Sequence, residues 1–196
     1  MKKLFVFLLA LSLFVLGERG LAQNTEGRWS LGVQGGANMW VNDFNKRIVG
    51  PGGDVIARYG LTRFFSLGLT AGYEELKSRQ DPMFISYAYD YLKVHAVPVS
   101  IVGWFHLAPG RNLNPYLFVG AGGMFYKLKD GSNNYIPKDE IRTSLRIPFG
   151  VGFESFSSQK FSLAVELGLT LLDDWTDHDK YNLPDSYPMA RAGVRF

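Results

Sequence analysis

The chain of 196 residues contains no cysteine. That absence removes disulfide frameworks, thiolate metal sites, thiol nucleophiles and lipid-modified cysteine anchors from consideration. An excess of charge is also missing, with 21 Lys and Arg against 18 Asp and Glu. Residues 1–22 hold Lys2, Lys3, Arg19 and Glu18, so the remainder carries 18 basic and 17 acidic side chains. So small an imbalance offers nucleic acid no electrostatic footprint, and nucleic acid is not expected as a partner. Heptads, helical periodicity of useful length, low-complexity tracts and solenoid repeats are absent as well. Beyond residue 16, no apolar run approaches the ~20 residues that a membrane-spanning helix needs.

The single long apolar run stands at the start. Lys2 and Lys3 precede thirteen residues, 4–16, interrupted only by Ser12, and Gly20-Leu21-Ala22 places small residues before Gln23. This is the pattern of a secretory signal peptide, expected to occupy 1–22 and to be removed on export. The remaining 23–196 are one domain's worth of chain. Any further residence in a membrane must come from strands.

What the exported chain does have is alternation. Over 161–172, Phe161, Leu163, Val165, Leu167, Leu169 and Leu171 alternate with Ser162, Ala164, Glu166, Gly168 and Thr170. A period of two over this length is a strand with one greasy and one small or polar face. The face that carries Glu166 is no ordinary protein core, and the other is too uniformly apolar for water. A wall between lipid and a polar lumen satisfies both. The same pattern recurs at 29–40, 53–59, 64–75, 91–105, 116–127, 143–154 and 189–196. The reading is an all-β fold: a closed eight-stranded antiparallel transmembrane β-barrel with up-and-down meander connectivity.

Connection lengths support it. Links 60–63, 106–114 and 155–160 are short, whereas 41–52, 77–90, 128–142 and 173–188 are longer. Short periplasmic turns and longer outer loops are the usual asymmetry of such barrels. Aromatics fall at strand ends, where interfacial belts are expected. Trp29, Tyr59, Phe64, Phe65, Phe105, Tyr116, Phe153, Phe161 and Phe196 belong to the periplasmic end on this reading. Tyr73, Tyr91, Phe125, Tyr126, Trp175 and Tyr187 belong to the outer end. Pro98 and Pro148 fall inside strands, and local bulges are expected there.

Particular residues carry a family likeness. Pro115-Tyr116 is followed by Gly120-Ala121-Gly122-Gly123 and Tyr126, and Pro148-Phe149-Gly150-Val151-Gly152-Phe153 lies in the next segment. With these features the chain resembles the OmpA/OmpX-like eight-stranded outer-membrane β-barrel family over essentially 28–196. The resemblance implies residence in the bacterial outer membrane, with membrane lipid and lipopolysaccharide as its surroundings and a monomeric state. Ala190, Ala192, Val194 and Phe196 look like the closing signal that such barrels present to the outer-membrane assembly machinery. No peptidoglycan-binding domain is expected after the eighth segment, so the resemblance is not taken to imply cell-wall tethering.

The sharpest candidate site is the inward parity itself. Arg58, Arg146, Arg191 and Arg195 share it with Asp54, Glu74, Glu154 and Glu166. An eight-stranded barrel is only wide enough for side chains to fill its interior. Charges enclosed there must pair, because an unpaired buried ion costs several kcal/mol. Arg58, Glu74, Arg146, Glu154, Glu166 and Arg191 are therefore read as a lumen ion-pair network. Arg146 and Glu166 lie on neighbouring strands. The network is either a structural plug, the preferred reading, or a gated narrow conduit for small solutes.

Other chemistry finds less support. A lipid-modifying enzyme needs a serine held by a histidine base with a third group orienting it. His95, His106 and His178 show no such pairing, so no catalytic residues are assigned. The oxygen-rich loop 173–179 lacks the glycine-punctuated spacing of a calcium loop, so neither a metal nor a cofactor is assigned. Residues 83–91 alternate strongly enough to carry the third and fourth strands above the membrane, either as a hairpin that pairs with itself, the preferred reading, or as a surface-interaction edge. A secreted lipocalin-like barrel would set Arg and Glu among glycines on its outside, which disfavours it. The function expected is a structural or surface-interaction role, without enzymatic activity.

Overall fold

Each alternating segment becomes a strand, and the strands close on themselves. The computed structural model describes residues 26–39, 46–79, 91–129, 135–136, 141–158, 161–173 and 186–196. The expected signal peptide, most of the loop 173–179 and residues 83–90 lie outside them. The strands are β1 (Trp29–Met39), β2 (Lys46–Gly60), β3 (Phe65–Arg79), β4 (Tyr91–His106), β5 (Leu113–Lys129), β6 (Tyr135–Ile136), β7 (Arg142–Ser158), β8 (Phe161–Asp173) and β9 (Ser186–Arg195). All but the two-residue β6 form the wall, paired antiparallel in chain order, and β1 pairs with β9 to close it. No wall strand has a free edge, so the backbone groups are satisfied within the sheet.

Period two decides which way each side chain points. In β8, Leu167 is 57% exposed and its neighbour Glu166 only 4%. The same inversion holds around the wall: Leu31, Val55, Leu69, Ile101, Val119 and Val151 are exposed, while Arg58, Glu74, Ser100 and Glu154 are buried. A water-soluble protein does not expose a continuous apolar girdle of this kind. Strands of 16 and 17 residues, β4, β5 and β7, exceed the ~9–11 that cross the hydrocarbon when tilted. They therefore project past it.

The wall departs from the sequence reading in four places. First, β2 begins at Lys46, so 46–52 are strand rather than loop. Glycines in this stretch serve close approach. A Cβ on Gly50 would stand 1.8 Å from the Glu75 carbonyl oxygen, and one on Gly52 only 2.6 Å from Asn38 Nδ2. Second, Tyr135–Ile136 pairs with Leu128 and Lys129, inside a stretch expected to be loop.

Third, the bulges expected at the prolines are not there. Pro98 stays in register with Met124, and Pro148 with Thr170. On the other side of each proline the ladder lapses, between Ala71↔Val99 and Glu74↔Ala96 and between Val119↔Phe149 and Gly122↔Arg146, then resumes without a shift. A missing N–H removes a ladder bond towards one neighbour only, so no residue need be inserted. Register shifts fall instead at Ile48/Gly52 and Phe156/Ser158.

Fourth, Tyr116, Tyr126 and Tyr187 do not join the aromatic belts. Each is buried in the interior, at 1%, 1% and 0% exposure. Trp29, Phe64, Phe105, Phe153, Phe161 and Phe196 at one end, and Tyr73 and Phe125 towards the other, do face outward. Two apolar clusters fill the interior. Leu76, Val94, Ala96, Met124, Tyr126, Leu172 and Tyr187 lie towards the loop-bearing end, and Ile56, Val102, Trp104, Tyr116, Phe118 and Met189 lie below them.

Candidate functional site

Even-numbered positions of β2, β3, β7 and β8 and odd-numbered positions of β9 turn inward, and this sets charge into the barrel. Arg58, Glu74, Arg146, Glu154, Glu166 and Arg191, the residues singled out from the sequence, are all buried. The structure brings them together as two linked groups. In the outer group, Glu74 Oε1 accepts from Arg146 Nη2 at 3.0 Å and from Arg191 Nη2 at 2.8 Å. Tyr187 donates its hydroxyl to the other Glu74 oxygen. Arg146 also reaches Ser100 Oγ at 3.0 Å, and Arg191 Nε stands 3.3 Å from Asp54 Oδ2.

The second group lies nearer the short turns. Arg58 grips Glu154 with both Nη atoms at 3.1 Å, a bidentate fork, the stronger geometry for an Arg–carboxylate pair. Ser162 donates to Glu154 at 2.7 Å. Arg195 bridges Glu154 at 3.2 Å and Glu166 at 2.7 Å, and Tyr116 donates to Glu166 at 2.8 Å. The guanidiniums of Arg58 and Arg195 both lie over the Trp104 ring, 5.9 and 6.0 Å from its centroid. Gln34 Nε2 joins the groups, 3.2 Å from Asp54 and 3.1 Å from Glu166.

Four guanidiniums thus meet four carboxylates, and the formal charges of this set cancel. Arg146 and Glu166, though on neighbouring strands, do not pair: the register sets Arg146 opposite Leu172 and Glu166 opposite Gly152. Both border a cavity of about 20 Å³ between the groups, room for about one water. Gln34, Ser100, Tyr116, Ser162 and Tyr187 complete the network and were not singled out as site residues. The signal that finds them is the same inward parity, read for hydroxyls and amides as well as charges.

The histidines separate. His178 lies outside the described residues. His95 faces outward and meets the Tyr73 hydroxyl through Nδ1. His106 is buried, with Ser66 Oγ 3.0 Å from Nε2 and Asn114 Nδ2 2.7 Å from Nδ1. The sequence reading paired no serine with a histidine, and here the structure does. The trio has the order of a Ser-His-Asn triad, but its polarity is reversed. Asn114 Oδ1 accepts the Ala108 N–H at 3.2 Å, which turns the amide nitrogen towards His106. Nδ1 therefore accepts, and the ring proton sits on Nε2 and points at Ser66. A serine-activating base needs that nitrogen free. Among the described residues, no group of three or more His, Asp and Glu is placed to hold a metal.

No protein-family model matches the sequence, and no curated protein does. Solved structures do match the fold. The N-terminal β-barrel domain of Pseudomonas aeruginosa OprF aligns at TM-score 0.52 and 15% identity, covering 89% of this chain and 98% of that one. Neisserial surface protein A aligns at 0.54 and 13%, covering 85% and 95%. Ail, the attachment invasion locus protein of Yersinia pestis, solved with the heparin analogue sucrose octasulfate, aligns at 0.52 and 15%, covering 87% and 99%.

The fold is that of the eight-stranded outer-membrane barrels. The girdle of exposed Leu, Val, Ile and Phe is then the lipid-facing band, and the barrel sits in the bacterial outer membrane. The short turns Leu61 to Phe64 and Leu107 to Asn112 lie at the end opposite the longer connections. Thr62 tightens the first of these turns, its Oγ1 accepting the Phe64 and Phe65 N–H groups at 3.2 and 3.1 Å. Gly110, with φ of 86°, takes the left-handed position in the second, where a side chain would be strained.

Proposed function

We propose that this outer-membrane barrel is non-conducting and non-enzymatic, its lumen plugged by the ion-pair network, and that it serves a structural or surface-interaction role. The observation that carries the reading is that Glu154 is shared across the interior, held by Arg58 in a bidentate fork and by Arg195 in an ion pair at 3.2 Å. A conduit through this level requires those groups to part. Breaking a buried pair costs about 3–5 kcal/mol, and each ~1.4 kcal/mol is tenfold in population, so an open state would be about a hundredfold or more rarer than the closed one. The reversed polarity of Ser66–His106–Asn114 supports the non-enzymatic part. The likeness to barrels named for surface exposure and attachment supports the surface role.

Planar bilayer recording of the refolded barrel tests the plug, with a porin in the same bilayers as the positive control. Silence at moderate voltage is the expected result. Discrete, reproducible conductance steps would overturn the reading and favour the narrow-channel alternative.

A further inference from the structure

His106 ends β4 and meets the first inward residue of each neighbouring strand. Its Nε2 stands 3.0 Å from Ser66 Oγ of β3, and its Nδ1 stands 2.7 Å from Asn114 Nδ2 of β5. All three side chains are buried. The Asn114 amide has a second partner. Its Oδ1 accepts the Ala108 N–H at 3.2 Å, inside the turn Leu107 to Asn112. Ring and turn are therefore joined through one planar group, with a donor at one end and an acceptor at the other.

That arrangement is complete only while the imidazole is neutral. A second ring proton makes Nδ1 a donor, which then faces another donor, the amide nitrogen, at 2.7 Å. Other groups offer the ring no relief. Ser66 Oγ already takes the Nε2 proton. The charged groups that act on the ring are Arg58 of β2, Glu154 of β7 and Arg195 of β9. The carboxylate among them is held by both guanidiniums and by Ser162. Tyr116 of β5, its ring 6.0 Å from the imidazole, gives its hydroxyl to Glu166. The amide can answer by rotating half a turn, so that Oδ1 accepts from Nδ1. Its nitrogen then faces the Ala108 N–H, and the conflict of donors passes from the ring to the turn.

The backbone of the turn confines the effect to its tip. Leu107 N–H donates to the Pro115 carbonyl at 2.8 Å, and Phe156 N–H to the Asn112 carbonyl at 2.9 Å. Neither bond involves the Asn114 side chain. The tip between them carries the left-handed Gly110 and the exposed Arg111, and is closed by a longer bond from Arg111 N–H to the Ala108 carbonyl at 3.3 Å. We infer that His106, Asn114 and Ala108 form an acid-operated latch: protonation of the imidazole turns the Asn114 amide over and releases the tip of the turn between β4 and β5. Its bistable element is the amide, which has one orientation for each charge of the ring. The latch is independent of whether the lumen conducts.

Amide hydrogen exchange of the folded barrel in detergent micelles tests it, followed by nuclear magnetic resonance from pH 7 to pH 3. Each rate is divided by the intrinsic rate at that pH. Ala108 is expected to lose about tenfold in protection, the scale of one neutral hydrogen bond. The loss should share its midpoint with the titration of the His106 carbon-13 shifts. Leu61, whose N–H donates to the Phe65 carbonyl in the other short turn, is expected to keep its protection. His106→Gln removes the titrating ring, and Asn114→Asp offers an acceptor to both N–H groups. In each variant Ala108 is expected to stay level across the range. A level Ala108 in wild-type protein while His106 titrates would overturn the latch, as would a ring that does not titrate in this range. A loss shared equally by Leu61 would show general loosening in acid and also overturn it. So would a loss that persists in His106→Gln. Wild-type protein alone decides the first three outcomes, whether or not the variants fold.

Discussion

Arg191 and Glu74 are 117 residues apart in sequence and 2.8 Å apart in the barrel. Glu74 also accepts from Arg146, so one carboxylate serves two guanidiniums. Glu74→Ala would leave both buried without their shared partner, which costs about 3–5 kcal/mol. Glu74→Gln keeps an acceptor oxygen and is expected to cost less. Urea titration of the folded band on unboiled gels measures both; equal midpoints for wild type and Glu74→Ala would contradict the shared pairing.

Pairing across the lumen is specific. A double-mutant cycle on Arg58 and Glu154 should exceed one on Arg146 and Glu166 by at least about 1 kcal/mol, because only the first pair is in contact. The reverse order would mean that the network is wired differently.

Which face a residue takes is legible in the sequence, because period two needs only the strand itself. Glu166 and Leu167 show this, and so do all six singled-out charges. Partner identity is not legible, since it depends on register and on reach across the lumen. Arg146 and Glu166 look adjacent on paper and are separated by six residues of register. Strand ends mislead for a related reason. Tyr187 reads as an interfacial aromatic at a loop boundary, but β9 starts at Ser186 and gives Tyr187 the inward parity of Arg191. Gly50, Pro51 and Gly52 fall in the expected connection 41–52, although the glycines answer to neighbouring backbones and side chains that a single strand does not reveal.

Close approach makes a further prediction. A Cβ on Gly152 would stand 2.4 Å from Tyr116 Cζ, whose hydroxyl holds Glu166. Gly152→Ala should destabilise by about 1–3 kcal/mol through overpacking. At Gly35 the nearest atom is 3.9 Å away, so Gly35→Ala should fall within about 0.5 kcal/mol of wild type. Thermal shift of the folded gel band separates the two, and equal shifts would contradict the packing described.

His106 offers a test of polarity. Asn114→Asp replaces the amide donor at Nδ1 with an acceptor, which should move the ring proton to Nδ1 and free Nε2 towards Ser66. Carbon-13 shifts of the imidazole report the tautomer. Wild-type protein is expected in the Nε2–H form and the variant in the Nδ1–H form. A wild-type Nδ1–H ring would reopen the serine-activating reading.

The absence of cysteine makes the central claim, an apolar outside around a charged inside, directly measurable. Single cysteines along β8 can be spin-labelled in lipid bilayers, and each label is unique in the chain. Labels at Leu163, Val165, Leu167 and Leu171 should relax with lipid-soluble oxygen. Labels at Ala164, Thr170 and Leu172 should be shielded from both oxygen and a water-soluble nickel complex. Alternation in the opposite phase, or nickel access at the odd positions, would contradict the barrel as described.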